Sequence, residues 1–158
     1  MQARLEKFAN RMTGISVPDT EAARLLKKGS NRFICTINKQ ETIHCALLKW
    51  KEGGFYIYIS AATIKKLQVS IGTKLEVSFK ADETKYQSIM PEELEAVLST
   101  DPEAASVFEG LTGGNQRGLI YLVVQVKSTD KRIERALKIA AKLKSGIVSP
   151  RKIMQAGG

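Results

Sequence analysis

Hydrophobic and polar positions change rhythm near the middle of the chain. Before residue 88, short β-branched and aromatic runs alternate with turn residues; beyond it, apolar residues recur at spacings of three and four. Residues 33–38 (FICTIN) and 43–50 (IHCALLKW) flank a short polar break and predict a hairpin. Lys51-Glu52-Gly53-Gly54 predicts a second turn, followed by an apolar strand at 55–59 (FYIYI). Over 73–81, Leu75, Val77 and Phe79 fall on one face and Glu76, Ser78 and Lys80 on the other, the period of a half-buried strand. Residues 5–13 predict a weaker first strand. Two short helices fit between the strands. One opens at Pro18-Asp19, turns Ala22, Leu25 and Leu26 inward and stops at Gly29. The other opens at Ser60, carries Ile64 and Leu67 and ends before Gly72.

The two helical segments read as copies. Ile15-Ser16-Val17-Pro18 precedes one and Ile57-Tyr58-Ile59-Ser60 the other; Leu25 lies eight residues after Val17, and Leu67 eight after Ile59. Each helix leads through glycine to a basic residue (Arg32, Lys74) and a strand. A strand–helix–strand unit used twice predicts a closed or nearly closed barrel, in which each half covers the strand edges of the other.

The second half predicts helices. Pro91-Glu92-Glu93 starts one, with acids in the first turn where the helix dipole favours them, and Leu94, Val97 and Leu98 as its apolar stripe. Asp101-Pro102 caps the next, filled by Ala104, Ala105, Val107 and Phe108. Asn115 is the expected cap of a third segment, 116–127. Within it, 119–126 (LIYLVVQV) could be a strand, but its position between helical segments favours a buried helix. Ser128-Thr129-Asp130 caps a last helix, 131–144, with Ile133, Leu137, Ala140, Ala141 and Leu143 inward and Gly146 as its stop. The reading is therefore α+β: a β-barrel domain with short helices over 1–88, a small α-helical module over 89–146 and a mobile tail over 147–158.

Composition adds constraints. The 158 residues are 43% hydrophobic and 26% charged, as in an ordinary globular protein. No run approaches a membrane span. The first ten residues carry Arg4, Glu6 and Lys7 without an apolar core, unlike a secretory signal. Two cysteines are too few for a disulfide scaffold, so a cytoplasmic location is expected. The net charge of +9 is uneven: residues 1–88 carry +7, 89–127 carry −4 and 128–158 carry +6. Such an excess suits nucleic acid or simply a solvated surface.

The segment from Cys35-Thr36-Ile37-Asn38 through Ile43-His44-Cys45-Ala46-Leu47 to Glu52-Gly53-Gly54-Phe55-Tyr56-Ile57 resembles the DUF1905 family, a β-barrel domain of unknown function. Residues 59–75, strand–helix–Gly–strand, look like the double-split barrel of AbrB-like transcription regulators and antitoxins. In those proteins two chains build the barrel, and the internal repeat implies that here one chain builds it alone. From Met90-Pro91-Glu92-Glu93-Leu94 through Asp101-Pro102-Glu103-Ala104, Asn115-Gln116-Arg117 and Asp130-Lys131-Arg132 to Arg135, the chain resembles the YdeI/OmpD-associated, or bacteriocin-protection, family. That likeness brings no active site with it.

No constellation of reactive residues stands out. Cys35 and Cys45 would face each other if residue 38 paired with 42, but adjacent strand residues point to opposite faces, which turns His44 away. Two convergent ligands fall short of the four of a structural zinc site, so no metal, cofactor or catalytic residue is expected. Arg11, Lys39, Lys49 and Lys51 could line a barrel surface, with Trp50 and Tyr56 for stacking; Lys131, Arg132 and Arg135 form a second basic face. The reading that follows is a non-enzymatic protein, a monomer or weak dimer, whose helical module contacts a protein partner. The alternative is an AbrB-like nucleic-acid-binding regulator.

Overall fold

A computed structural model describes residues 1–8 and 11–155. Its residues fall into two compact units, Met1–Glu83 and Thr84–Gly158.

In the first unit the elements run β1 (Gln2–Arg4), β2 (Glu6–Lys7), β3 (Thr13–Val17), α1 (Asp19–Leu26), β4 (Arg32–Ile37), β5 (Glu41–Ala46), β6 (Leu48–Lys49), β7 (Phe55–Tyr58), α2 (Ala61–Leu67) and β8 (Lys74–Ala81). They form two antiparallel four-stranded sheets, ordered β1-β8-β4-β5 and β2-β3-β7-β6. A closed or nearly closed barrel is expected from the sequence; among the described residues the ladders form two separate sheets and no closed barrel. The chain instead passes from one sheet to the other at two bends. Leu5 separates β1 from β2, and Leu47 separates β5 from β6; both side chains are buried. The first-strand expectation over 5–13 fails for this reason: the bend splits the strand and moves it towards the N-terminus. Residues 9 and 10 of that span lie outside the described residues.

The ladders show that the repeat is longer than its helices suggest. Exchanging each residue for its equivalent, 42 later from the first module and 42 earlier from the second, converts the β1–β8 pair Arg4↔Lys74 into the β5–β4 pair Ala46↔Arg32. It converts the β2–β3 pair Glu6↔Gly14 into the β6–β7 pair Leu48↔Tyr56. The bends obey it too: Leu5 N–H donates to the Thr73 carbonyl, and Leu47 N–H to that of Asn31. Ile15↔Ile57 and Thr36↔Ser78 are each a residue paired with its own equivalent. The unit is thus a ββ-β-α-β module used twice about a pseudo-two-fold axis through those two pairs. Equivalent positions supply the core: Leu5 and Leu47, Ile15 and Ile57, Val17 and Ile59, Leu25 and Leu67, Cys35 and Val77 are all buried. Each large side chain removed from water contributes roughly 1.5–3 kcal/mol. The helices differ in their starts. Ser60 accepts a hydrogen bond from Thr63 N–H at α2, whereas α1 begins at Pro18 without a side-chain cap.

The second unit is helical: α3 (Glu92–Thr100), α4 (Pro102–Glu109), α5 (Gly113–Val124), α6 (Thr129–Lys144) and α7 (Pro150–Gln155). Residues 119–124 are helical and mostly buried, as expected. The cap of α5 is Thr112, whose hydroxyl accepts from Asn115 N–H, so the helix starts before Asn115. Helix α6 is rotated from the expected orientation. Ala136, Ile139, Ala140 and Leu143 are buried, while Ile133 and Leu137 are 41% and 55% exposed. Its apolar residues exceed one face, and the arginines described below fix which stripe turns inward. The expected mobile tail carries α7, whose Ile153 is 1% exposed in the helical core. One buried isoleucine anchors a segment too short and too basic to show an apolar period.

Candidate binding surface

Side chains on a strand alternate between faces, and in the sheet β2-β3-β7-β6 this sorts the residues cleanly. Ile15, Val17 and Ile57 face the core. Tyr56 and Tyr58 face the other way, with Leu48 opposite Tyr56 and Gly14 opposite Tyr58. Tyr58 is 49% and Leu48 37% exposed, so this outer face is apolar and wet.

Phe8 and Trp50 extend this face. They occupy equivalent positions in the two modules, one residue beyond β2 and β6, and make equivalent hydrogen bonds: Phe8 N–H donates to the Met12 carbonyl and Trp50 N–H to that of Gly54. The two rings lie 5.6 Å apart, and both contact Tyr56, at 5.3 Å from Phe8 and 5.2 Å from Trp50. The Trp50–Tyr56 contact is edge-to-face, and Phe8 is tilted by 42–43° to both. The equivalent of Tyr56 is Gly14. A Cβ at Gly14 would lie 2.1 Å from the Ile57 carbonyl oxygen and 3.1 Å from the Phe8 ring. One module therefore withdraws its side chain at this position and the other supplies an aromatic ring. Beside the cluster lies a groove of about 410 Å³, lined by these three rings with Ser16, Val17, Pro18, Asp19, Gly53, Gly54 and Phe55.

Of the residues singled out in the sequence, the structure brings Trp50 and Tyr56 together. Lys49, Lys51 and Arg11 are exposed and adjoin the cluster along the chain, but none lines the groove. Lys39 belongs to the β4–β5 turn and lies 4.0 Å from Glu76. In the helical unit Arg132 and Arg135 act on their own fold. Arg132 donates from Nε to the Val126 carbonyl at 2.8 Å and from Nη2 to the Val124 carbonyl at 3.3 Å; Arg135 donates to the Leu122 carbonyl at 2.8 Å. They satisfy carbonyls that the end of α5 leaves without helical partners. Lys131 stays exposed and, with Arg135, Lys138 and Met154, lines a separate groove of about 310 Å³.

The cysteines are free and buried. The register differs by two residues from the 38–42 pairing considered above. Cys35 faces Ile43 and Cys45 faces Phe33, which leaves the thiols diagonal on one face. The hydrogen bond from Cys45 and the surrounding core push the Cys35 thiol well above its usual range. Such thiols are poor nucleophiles. His44 instead meets Asp82, which accepts from its Nδ1–H at 2.6 Å with a fully buried side chain. The partners are 38 residues apart, and nothing in the local pattern announces the pair. Their equivalents in the other module, Gln2 and Gln40, carry no charge. Among the described residues no group of three or more His, Cys, Asp or Glu is placed to hold a metal ion, and no helix is long and apolar enough to cross a membrane.

Two family models match the chain. Residues 2–79 match the one described as a domain of unknown function, DUF1905, and residues 87–146 match the one described as Bacteriocin-protection, YdeI or OmpD-Associated. No curated protein and no solved structure matches it.

Proposed function

Since the chain joins a DUF1905 domain to a bacteriocin-protection, YdeI or OmpD-Associated domain in that order, we propose that it is a cytoplasmic bacterial binding protein that works without catalysis. The observation that carries this reading is the exposed aromatic face of the first unit, where Phe8, Trp50 and Tyr56 adjoin a groove. Clustered, half-exposed aromatics with polar tips are the usual anchors of recognition surfaces. The two-sheet arrangement with bent shared strands supports the finer reading of this unit as an AbrB-like double-split barrel built by one chain. The helical unit is the second contact module. Ile133 and Leu137, one turn apart and solvent-facing on α6, support a partner contact there, and a role related to bacteriocin protection belongs to that contact. The exposed Arg11, Lys49 and Lys51 beside the aromatics favour the second reading, a nucleic-acid-binding regulator.

Trp50 is the sole tryptophan of the chain, so its emission reports on this face. The test is a titration with a fixed panel: a dT10 oligonucleotide, a neutral oligosaccharide, an acidic peptide and a proline-rich peptide. At least one saturable shift in emission, abolished in the Phe8→Ala variant, is expected. Silence across the panel, or robust turnover of a small molecule, refutes the binding reading. The nucleic-acid reading requires dT10 affinity that rises steeply as salt is lowered.

A further inference from the structure

Resting on the aromatic face as a binding surface, we propose that its groove takes a proline-rich segment of a partner protein in the polyproline II conformation, with a basic residue beside the prolines. Three observations select this occupant. The first is ring geometry. Centroids 5.2–5.6 Å apart leave no space between the rings for a caged cation, which must itself sit within about 6 Å of each ring face. The mutual tilts of 42–85° make the surface ridged, so a flat base would stack on one ring alone. Short, rigid pyrrolidine rings can instead pack against the edges of these ridges from the groove beside them, and aromatic-lined grooves are a general receptor for polyproline II chains.

The second is charge. Asp19 is the one charged residue among the described residues lining the groove, and Glu6, on the same sheet, accepts from Ser16 N–H. The groove lining itself therefore suits a neutral or cationic chain better than a phosphate backbone, while the exposed Arg11, Lys49 and Lys51 stand outside it. The third is hydrogen bonding. Among the described residues neither the Trp50 indole N–H nor the Tyr56 hydroxyl has a protein partner, which leaves two donors for the outward carbonyls of a polyproline II helix. Strand addition fits poorly: β6 has two residues, and the Trp50 N–H and carbonyl beyond it are taken by Gly54 and Gly53.

The test uses the full chain and a fluorescein-labelled decapeptide of Pro-Pro-x repeats ending in Arg, read by anisotropy. Saturable binding is expected, with at least a tenfold loss in Trp50→Ala and about a threefold loss in Tyr56→Phe, which keeps the ring and removes only the donor. Asp19→Asn should weaken the Arg-bearing peptide and leave an Arg-free version unchanged. Replacing the prolines by alanine should abolish binding. No binding of the proline peptide, or equal binding of its alanine version, overturns the proposal. So does dT10 binding that strengthens steeply at low salt and competes with the peptide. If another panel ligand shifts Trp50 emission while the proline peptide does not, the choice of occupant fails and the binding reading stands. If nothing shifts it, both fail.

Discussion

The two modules of the first unit share one backbone plan and very little surface. Where their equivalent residues meet the core, chemistry is kept: Leu5 matches Leu47, Ile15 matches Ile57, Leu25 matches Leu67. Away from the shared core positions it diverges: buried Gly14 against half-buried Tyr56, Gln2 against His44, Pro18 against Ser60. The fold constrains volume and register at buried positions and leaves the outer face free. The aromatic patch is the product of that freedom, since it needs Phe8 and Trp50 from both modules but a glycine from one and a tyrosine from the other.

The sharpest way to break the comparison is to ask whether position 14 can tolerate what position 56 carries. Gly14→Ala places a Cβ 2.1 Å from a backbone carbonyl in the paired strand, which cannot swing aside as a side chain could. We expect a loss of about 4 kcal/mol, at the upper end of overpacking effects. Tyr56→Ala only removes a half-exposed ring and its two aromatic contacts, and should cost about 1–2 kcal/mol. Urea denaturation of the two variants decides it, and comparable losses would show that the outer face is not asymmetric in the way described. Next in size are the bends. Leu5→Ala and Leu47→Ala each remove a buried leucine from equivalent corners, 1% and 3% exposed, and each should cost about 3 kcal/mol. If one is severe and the other mild, the two sheet crossings are not equivalent in energy despite matching hydrogen bonds.

The same contrast explains what could be read from the sequence. Helix starts at Ser60 and Ser128 were legible because one side chain caps within three residues. The strands around 33–37 and 74–81 were legible because their alternation is local. The full repeat was not. Outside a few core positions its identities are sparse, and the helix–strand segment shows it only because Val17, Leu25, Ile59 and Leu67 keep their spacing. The bends at Leu5 and Leu47 are set by long-range bonds to Thr73 and Asn31, which no local pattern encodes. At the candidate site, Trp50 and Tyr56 were found by type, but Phe8 sat inside a misplaced strand. The rotation of α6 depends on Arg132 and Arg135 reaching α5, so arginines on an outward-looking face turned out to secure the fold.

The smallest effect concerns the turn that presents Phe8 and Trp50. In the second module Gly53 occupies it at φ 102°; in the first, the equivalent residue is Arg11, at φ 64°. An L side chain in this left-handed region costs about 1–2 kcal/mol, which glycine avoids at the expense of a more flexible unfolded chain. Because those terms oppose each other, Arg11→Gly should stabilise by only about 0.5 kcal/mol, whereas Gly53→Arg should destabilise by about 1 kcal/mol. Thermal melts of both variants give the two signs directly. The result also bears on binding: Arg11 does not line the groove, so Arg11→Gly should leave peptide affinity unchanged. A loss of binding without a loss of stability would instead place the Arg11 guanidinium on the ligand and shift the balance towards an anionic partner.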